Sequence, residues 1–311
     1  MKPAPEISVV LPLFNESGNI AALYRRLTAS LESTREPYDI LFVDDGSWDD
    51  SFDLLRRLHR KDPRHVSVLR LSRNFGQHAA LTAGMDHARG NYVAIMDGDL
   101  QDRPEDIPKL YLKIREGYDC VFGVRVNRRH GTFKIMASRL FNRLVHRAIR
   151  PRFPIETSIL RIMNRPFLRH FLSLRERHRC VTILTAWMGF RQIGVPVLHG
   201  RRFSGGTKYS LAKMAGLGWD VLTAFSLMPL RMAFVFGAVA AGAALAGLAG
   251  FPIAGGSYLW TMVLLFQGCQ FLLLGVIGEY VGRSLAEQKN RPLYLIQQRL
   301  QRRVLTWKRY W

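Results

Sequence analysis

Residues 92–102 read YVAIMDGDLQD, an apolar run that ends abruptly in a cluster of carboxylates. A short apolar, β-branched run that stops at polar turn residues is typical of a buried strand. Residues 7–16 (ISVVLPLFNE) and 38–47 (YDILFVDDGS) have the same form. Because helical stretches separate these runs, the sequence predicts an α/β domain with a mostly parallel sheet and right-handed crossovers.

The expected elements alternate regularly along the N-terminal part of the chain. Strands are predicted over 7–13, 38–45, 66–71, 92–97 and 120–123, and helices from a cap at Asn15 or Ser17 to Glu32 and over 49–59, 75–88 and 104–116. Ligands of such sheets bind beside the carboxyl ends of the strands. The polar residues that follow the strands are therefore the candidate site.

The C-terminal part of the chain has the composition of a membrane anchor. We expect the sheet domain over 1–208, an interfacial helix over 209–229, a two-helix transmembrane hairpin over 230–280 and a basic cytoplasmic tail over 281–311. The uncharged runs 232–251 and 258–278 are each about long enough to cross a ~30 Å hydrocarbon core. Lys and Arg flank the hairpin on both outer sides, which places both termini in the cytoplasm. A buried hairpin in a soluble protein is the alternative, and the lack of charge disfavours it.

Residues 133–149 (FKIMASRLFNRLVHRAI) carry apolar side chains at helical spacing and cations on the other faces. This pattern favours a helix that lies on an anionic membrane surface. An amphipathic helix packed on the sheet would show the same pattern, so both interpretations stay open.

The net charge of +21 and the pI of about 10.7 predict polyanionic partners. Anionic membrane lipid is favoured over nucleic acid, because the basic stripes alternate with aliphatic residues and adjoin the predicted spans. Three separated cysteines indicate neither a disulfide framework nor a zinc site. Met1–Glu6 lacks the apolar run of a signal peptide, so the N-terminal domain is expected to stay on the cytoplasmic side of the inner (plasma) membrane.

The motif that bears most directly on chemistry is Asp97-Gly98-Asp99, followed by Gln101. Two carboxylates at a strand end suit Mg²⁺ or Mn²⁺, which prefer oxygen ligands and often bridge substrate phosphates. An Asp-Gly-Asp turn without any ligand is the plain alternative. Acceptors after the first two strands (14–16 and 43–47) and a basic loop at 202–208 favour a phosphate-bearing ligand.

The chain resembles the family 2 glycosyltransferases in the order of its motifs. SVVLPLFNE, VDDGS, GQHAALTAG, DGDLQDRPE, the GVR at Arg125 and RRFSGGTKYS occur in sequence, and PLRM and GEYVGR extend the resemblance toward the C-terminus. The similarity is greatest to the polyprenyl-phosphate branch, which includes dolichol-phosphate mannose synthase and bacterial undecaprenyl-phosphate glucosyl- and formamidoarabinosyl-transferases.

The resemblance implies a GT-A fold and an inverting transfer from a nucleotide-sugar donor, with a UDP-sugar as the expected type, to a polyprenyl phosphate acceptor. By position, the implied nucleotide-binding residues are Pro12, Phe14, Glu16, Asp44, Asp45, Ser47 and Asp97, and the implied metal ligands are Asp97, Asp99 and Gln101. The implied catalytic residues are Asp99, Arg125, Arg202 and Lys208, and the implied acceptor-phosphate contacts are Arg125, Arg128, Lys134 and Arg161.

One segment departs from the family pattern. Ile155–Arg161 keeps the arginine of D-x-G-x-x-x-R but has neither its glycine nor its aspartate. This departure motivates the rival hypothesis of a catalytically degenerate scaffold or nucleotide-sugar-binding protein. A processive polysaccharide synthase is disfavoured because no Q-x-x-R-W motif is present. Small residues such as Ala243 and Gly247 leave room for a homo-oligomer, and the sequence does not fix the sugar, the nucleotide, the acceptor length or the pathway.

Overall fold

The computed structural model describes residues 5–126, 157–177, 179–198, 200 and 256–301, together with scattered positions between 223 and 239. Its centre is an eight-stranded sheet with the order β7-β5-β6-β4-β1-β2-β3-β8. The strands are β1 (Ile7–Leu13), β2 (Tyr38–Asp44), β3 (Val66–Leu71), β4 (Tyr92–Ile95), β5 (Cys120–Val126), β6 (Thr157–Asn164), β7 (Gln192–Leu198) and β8 (Ile296–Leu300).

Helices connect most of the strands. They are α1 (Ile20–Glu32), α2 (Ser51–Lys61), α3 (Gln77–His87), α4 (Ile107–Ile114), α5 (Arg165–Ser173), α6 (Val181–Trp187) and α7 (Gly256–Gln288), and a 3₁₀ turn at Pro104–Asp106 precedes α4. The predicted alternation of strands and helices in the N-terminal part is therefore confirmed, with boundaries that differ by a few residues.

The sheet is mostly parallel, as predicted. β1 pairs in parallel with β2 and β4, β2 with β3, and β5 with β7. The antiparallel pairs involve β6, which lies between β4 and β5, and β8, which borders β3. The sequence prediction included none of β6, β7 and β8.

Helices cover both faces of the sheet because successive side chains of each buried strand point in opposite directions. In β1, Val9 and Leu11 belong to the cluster packed against α1, α2 and α4, while Val10 belongs to the cluster with α3, α5 and α6. Helix α3 approaches β1 closely at Gly84, where a Cβ would lie 2.2 Å from a methyl of Val10. Both clusters support the strand ends that carry the polar residues.

The C-terminal segment returns to the sheet. The expected basic tail after residue 280 instead continues α7 to Gln288 and then forms β8, whose Leu300 lies opposite Val68 of β3. The sheet domain therefore includes residues far beyond the predicted limit at 208. Among the described residues, no helix combines the length and the apolar character needed to cross a membrane. The predicted interfacial helix 133–149 lies outside the described residues.

Candidate active site

An open cavity of about 360 Å³ lies where the loops after β1, β2, β3 and β4 meet at the carboxyl ends of these strands. Parallel strands end at the same edge of a sheet, which is why side chains far apart in sequence meet here. The residues that line the cavity are Pro12, Leu13, Phe14, Glu16, Asp45, Asn74, Gly76, Gln77, Asp97, Gly98, Asp99 and Gln101.

The loop after β4 provides the acidic wall of this cavity. Gly98 packs so closely against the end of β1 that a Cβ would lie 2.2 Å from Leu13 Cδ2, so no larger residue fits without movement. Asp99 Oδ1 accepts a hydrogen bond from the Gln101 N–H at 3.1 Å, which fixes the turn. Asp102 is 2% exposed, and its Oδ2 accepts a hydrogen bond of 2.5 Å from the Ser158 hydroxyl of β6.

The carboxylates of this loop repel one another. Burial, together with the weaker effect of the charges of Asp102 and Asp99, raises the pKa of Asp97 to about 7. The Arg125 guanidinium and a hydrogen bond from the Gln77 amide oppose this rise in pKa. A bound cation would therefore favour the charged form of the Asp97 carboxyl group.

The donor atoms of this wall fit Mg²⁺ or Mn²⁺. Asp97, Asp99 and Gln101 offer only oxygen-bearing groups that suit such ions, and the two carboxylates line the same cavity. Among the residues that the structure describes, no three His, Cys, Asp or Glu side chains are arranged to hold a metal by themselves. An ion of this kind usually takes one or two protein carboxylates and completes its shell with substrate phosphates and water.

Hydrogen bonds join the loops after β1 and β2. The Asn15 N–H donates to Ser47 Oγ at 2.9 Å, and the Glu16 N–H donates to Ser51 Oγ at 3.0 Å. Asn15 has a φ of 54°, a left-handed conformation that asparagine tolerates better than most residues. These bonds hold Phe14 and Glu16 at the rim of the cavity.

Asp44, the last residue of β2, and Asp45, which follows it, have different surroundings. Asp45 lines the cavity, and its carboxylate accepts hydrogen bonds from the N–H groups of Phe75 (2.8 Å) and Gly76 (2.9 Å). Burial raises the pKa of Asp45 to about 6 despite these bonds. Asp44 is fully buried behind the rim, where Oδ1 accepts the Ser47 N–H and Oδ2 lies 3.5 Å from Arg70 Nε.

Most of the predicted nucleotide and metal residues meet in one place. The cavity contains Pro12, Phe14, Glu16, Asp45, Asp97, Asp99 and Gln101, and Asp44 and Ser47 lie just behind it. Arg125 on β5 is within electrostatic reach of Asp97, and its Nε has no hydrogen-bond partner among the described residues. The predicted basic residues Arg128, Lys134, Arg202 and Lys208 lie outside the described part of the chain.

Arg161 does not occupy the position expected of an acceptor-phosphate contact. It is 1% exposed on β6, and its guanidinium donates to the Ser158 carbonyl at 2.9 Å and to the Thr185 hydroxyl. Further bonds reach the carbonyls of Ile159 and Val181. The Arg161 side chain therefore links β6 to α6 in the interior of the protein. A buried guanidinium of this kind does not fit the expected contact with an acceptor phosphate.

Several site residues were missed in the sequence. Asn74, Gly76 and Gln77 line the cavity from the loop before α3, and the Gln77 side chain bonds to Asp97. Ser158, which holds Asp102, was also missed. The motif GQHAALTAG contains Gly76 and Gln77. The contact of the Gln77 amide with Asp97 joins two segments that are distant in sequence, and no local sequence pattern predicts such a contact.

The mixed α/β, mostly parallel sheet with an acidic loop at the carboxyl end of β4 is a Rossmann-like GT-A fold. Residues 8–172 match the model of "Glycosyl transferase family 2", and the chain belongs to this family of glycosyltransferases. It is 40% identical over 302 residues to the "Uncharacterized glycosyltransferase YkcC" of Bacillus subtilis, with 94% of this chain and 93% of that protein covered.

A second relative has a more specific name. The chain is 36% identical over 312 residues to the "Undecaprenyl-phosphate 4-deoxy-4-formamido-L-arabinose transferase" of Klebsiella pneumoniae, with 95% of this chain and 94% of that protein covered. Among solved structures, mannosyl-3-phosphoglycerate synthase from Rubrobacter xylanophilus has a TM-score of 0.50 and 18% identity. That match covers 71% of this chain and 72% of the synthase, and it shows the likeness of the fold alone.

Proposed function

We propose that this glycosyltransferase moves a sugar from a nucleotide-diphosphate sugar, with UDP as the expected carrier, to a polyprenyl phosphate such as undecaprenyl phosphate. The transfer inverts the anomeric carbon and takes place at the cytoplasmic face of a membrane. One observation carries the proposal: the loops after β1, β2, β3 and β4 converge on one acidic cavity. The acceptor class rests on the relative named for undecaprenyl phosphate, which matches over 95% of the chain.

The cavity is suited to the nucleotide half of the donor. Phe14 offers an aromatic surface, and Glu16 and Asp45 offer acceptors for base or ribose hydroxyl groups at one rim. Asp97 and Asp99 line the same cavity from the loop after β4, and the diphosphate is proposed to lie beside them. Asp97, Asp99 and Gln101 would hold Mg²⁺ or Mn²⁺, which when bound neutralises charge on a diphosphate leaving group.

The acceptor needs alignment more than it needs a base. A lipid phosphate is anionic at neutral pH, so its oxygen is already nucleophilic. What slows the reaction is repulsion between this anion and the donor diphosphate, and cationic side chains at the site reduce that repulsion. Arg125 is placed for this role because its guanidinium already interacts with Asp97 and its Nε has no partner among the described residues. Arg128, Lys134, Arg202 and Lys208 are proposed to assist it.

The membrane location rests on the sequence and on the surface of α7. The two uncharged runs at 232–251 and 258–278 are proposed to form a hairpin with both termini in the cytoplasm. Within α7, large apolar side chains stay exposed, with Phe271 at 68%, Leu272 at 75% and Leu274 at 60%. Such a surface is favoured in lipid or against another subunit, and a homo-oligomer is part of the proposal.

The test is transfer by the full chain purified in detergent. The protein is mixed with undecaprenyl phosphate, Mn²⁺ or Mg²⁺ and a panel of UDP- and GDP-sugars, and glycosylated lipid phosphate is measured by mass spectrometry. We expect product from one donor class, a loss of at least 100-fold in Asp99→Asn, and normal activity in Asp53→Asn, which changes an exposed aspartate on α2. Product formation without added polyprenyl phosphate, or full activity in Asp99→Asn, would refute the proposal.

A further inference from the structure

Trp48 is an unusually exposed aromatic residue beside the active site. It follows Ser47 in the loop after β2, and 81% of its surface is exposed. An indole left in water forgoes the burial that normally stabilises a tryptophan. A tryptophan that is this exposed beside a ligand cavity is a candidate for ligand binding.

The loop holds Trp48 in a defined place. The backbone N–H of Trp48 donates to Asn15 Oδ1 at 3.1 Å, and the neighbouring Ser47 Oγ accepts a hydrogen bond from the backbone N–H of Asn15 at 2.9 Å. Gly46, with a φ of 70°, lies so near the loop before α3 that a Cβ would be 2.5 Å from the Arg73 carbonyl carbon. The backbone that presents the indole is thus fixed from two sides, which lowers the entropy cost of using it to bind a ligand.

The indole meets an aromatic residue of the cavity. Its ring lies edge-to-face with Phe14, with centroids 4.9 Å apart and an interplanar angle of 88°. Phe14 lines the cavity. Two perpendicular rings in contact form a corner, in which a flat ligand can stack on one ring while its edge contacts the other.

We propose that Trp48 and Phe14 form a stacking corner for the nucleobase of the donor, and that Trp48 is a principal source of affinity for the base. The inference rests on the proposed function, because it assigns the base end of the same donor site. Stacking accepts any base, since every base has a π-face. The corner therefore contributes affinity, and the choice between uracil and guanine depends on the polar groups near it.

The affinity for ligands with and without a base tests this assignment. Binding of UDP and of inorganic pyrophosphate, both with Mn²⁺, is measured by titration calorimetry for the full chain and for Trp48→Ala, Trp48→Phe and Trp187→Ala. Trp187 is the matched control, because it is a 63% exposed tryptophan at the end of α6 and does not belong to the loops after β1 and β2. Thermal unfolding of each variant checks that the fold is unchanged.

We expect Trp48→Ala to weaken UDP binding by about tenfold or more, in keeping with the usual effect of removing one stacking residue. Pyrophosphate affinity should stay within about twofold, Trp48→Phe should retain much of the UDP affinity, and Trp187→Ala should match the unaltered protein. In transfer assays the donor KM should rise while kcat changes little.

Unchanged UDP affinity in Trp48→Ala would overturn the inference and leave the indole as a contact for another macromolecule. Equal loss of UDP and pyrophosphate affinity would also overturn it, because it would show that Trp48 supports the loop and does not bind the base. If the unaltered protein binds pyrophosphate but not UDP, the proposed UDP-sugar donor itself fails, and this result is distinct from the other two.

Discussion

Replacement of Asp97 by Asn should make the ligand-free protein more stable at alkaline pH. Asp97 is held in a partly buried position near Asp99 and Asp102, and its pKa is raised to about 7 from an ordinary value of 3.8. Asparagine has nearly the same shape and can still accept the hydrogen bond from Gln77. The substitution therefore removes a charge while it preserves the packing.

The sign and size follow from the shift in pKa. A carboxyl with a raised folded-state pKa binds more protons in the folded state between pH 3.8 and about 7, so stability falls as the pH rises through this window. The shift of about 3 units corresponds to about 4 kcal/mol at ~1.36 kcal/mol per unit. The carboxylate faces an open, solvated cavity, and screening reduces this value to about 1–2 kcal/mol. At pH 8 the full cost is present, and near pH 4 little of it remains.

Thermal unfolding in detergent with a chelator, at pH 8 and pH 4.5, measures this effect. Asp97→Asn should raise the Tm at pH 8 by about 2–6 °C, and the gain should shrink at pH 4.5, whereas Asp53→Asn should show neither change. Mn²⁺ should stabilise the unaltered protein and have little effect on Asp97→Asn. A variant less stable than the unaltered protein at pH 8, or a gain that does not depend on pH, would refute the reasoning.

Three further predictions concern other parts of the structure. Gly84→Ala should lower the free energy of unfolding by about 1–3 kcal/mol in chemical denaturation, because its Cβ would lie 2.2 Å from a β1 methyl; unchanged stability would contradict the close packing of α3. Ser158→Ala should cost about 1–3 kcal/mol, since it removes the hydroxyl that donates to the buried Asp102, and Ser158→Thr should restore part of the loss if the hydroxyl is what matters. Cys180 should react with iodoacetamide faster than Cys120. Hydrogen bonds from His78 and Thr182 lower the pKa of Cys180 to about 7 against the effect of burial, whereas burial raises the pKa of Cys120 to about 12. Peptide mass spectrometry should show a labelling rate of Cys180 that rises through pH 7, and equal labelling of both cysteines would count against this prediction.

The local elements could be predicted because their signals are local. β1 and β3 have the predicted bounds, since each is a continuous apolar run between turn residues. β6, β7 and β8 were missed, and the reasons for β6 and β8 differ. The segment before Arg161 drew attention as a departure from a motif and not as a strand, and β8 has only its two end residues partly buried, so it lacks an apolar run. The sheet order depends on pairings between distant segments, which no local pattern encodes.

The candidate site was predictable where strand ends supply it. Asp97, Asp99 and Asp45 follow apolar strands directly, and the geometry of parallel sheets brings them together. The place of Arg161 could not be predicted in this way: a cation in a family motif suggested a phosphate contact, whereas the side chain is buried on β6 and donates to backbone carbonyls. Gln77 shows the converse, since its contact with Asp97 joins the start of α3 to the end of β4.

The position of β8 also sets an order for biosynthesis. β3 is made early, but its outer neighbour is the last strand of the sheet and emerges from the ribosome only after α7 has been made. Until then one edge of β3 has unpaired N–H and C=O groups, which are open to pairing with other chains. The catalytic sheet is therefore completed only after the long C-terminal helix has been synthesised, and a nascent chain that stops before residue 296 lacks the strand that closes this edge.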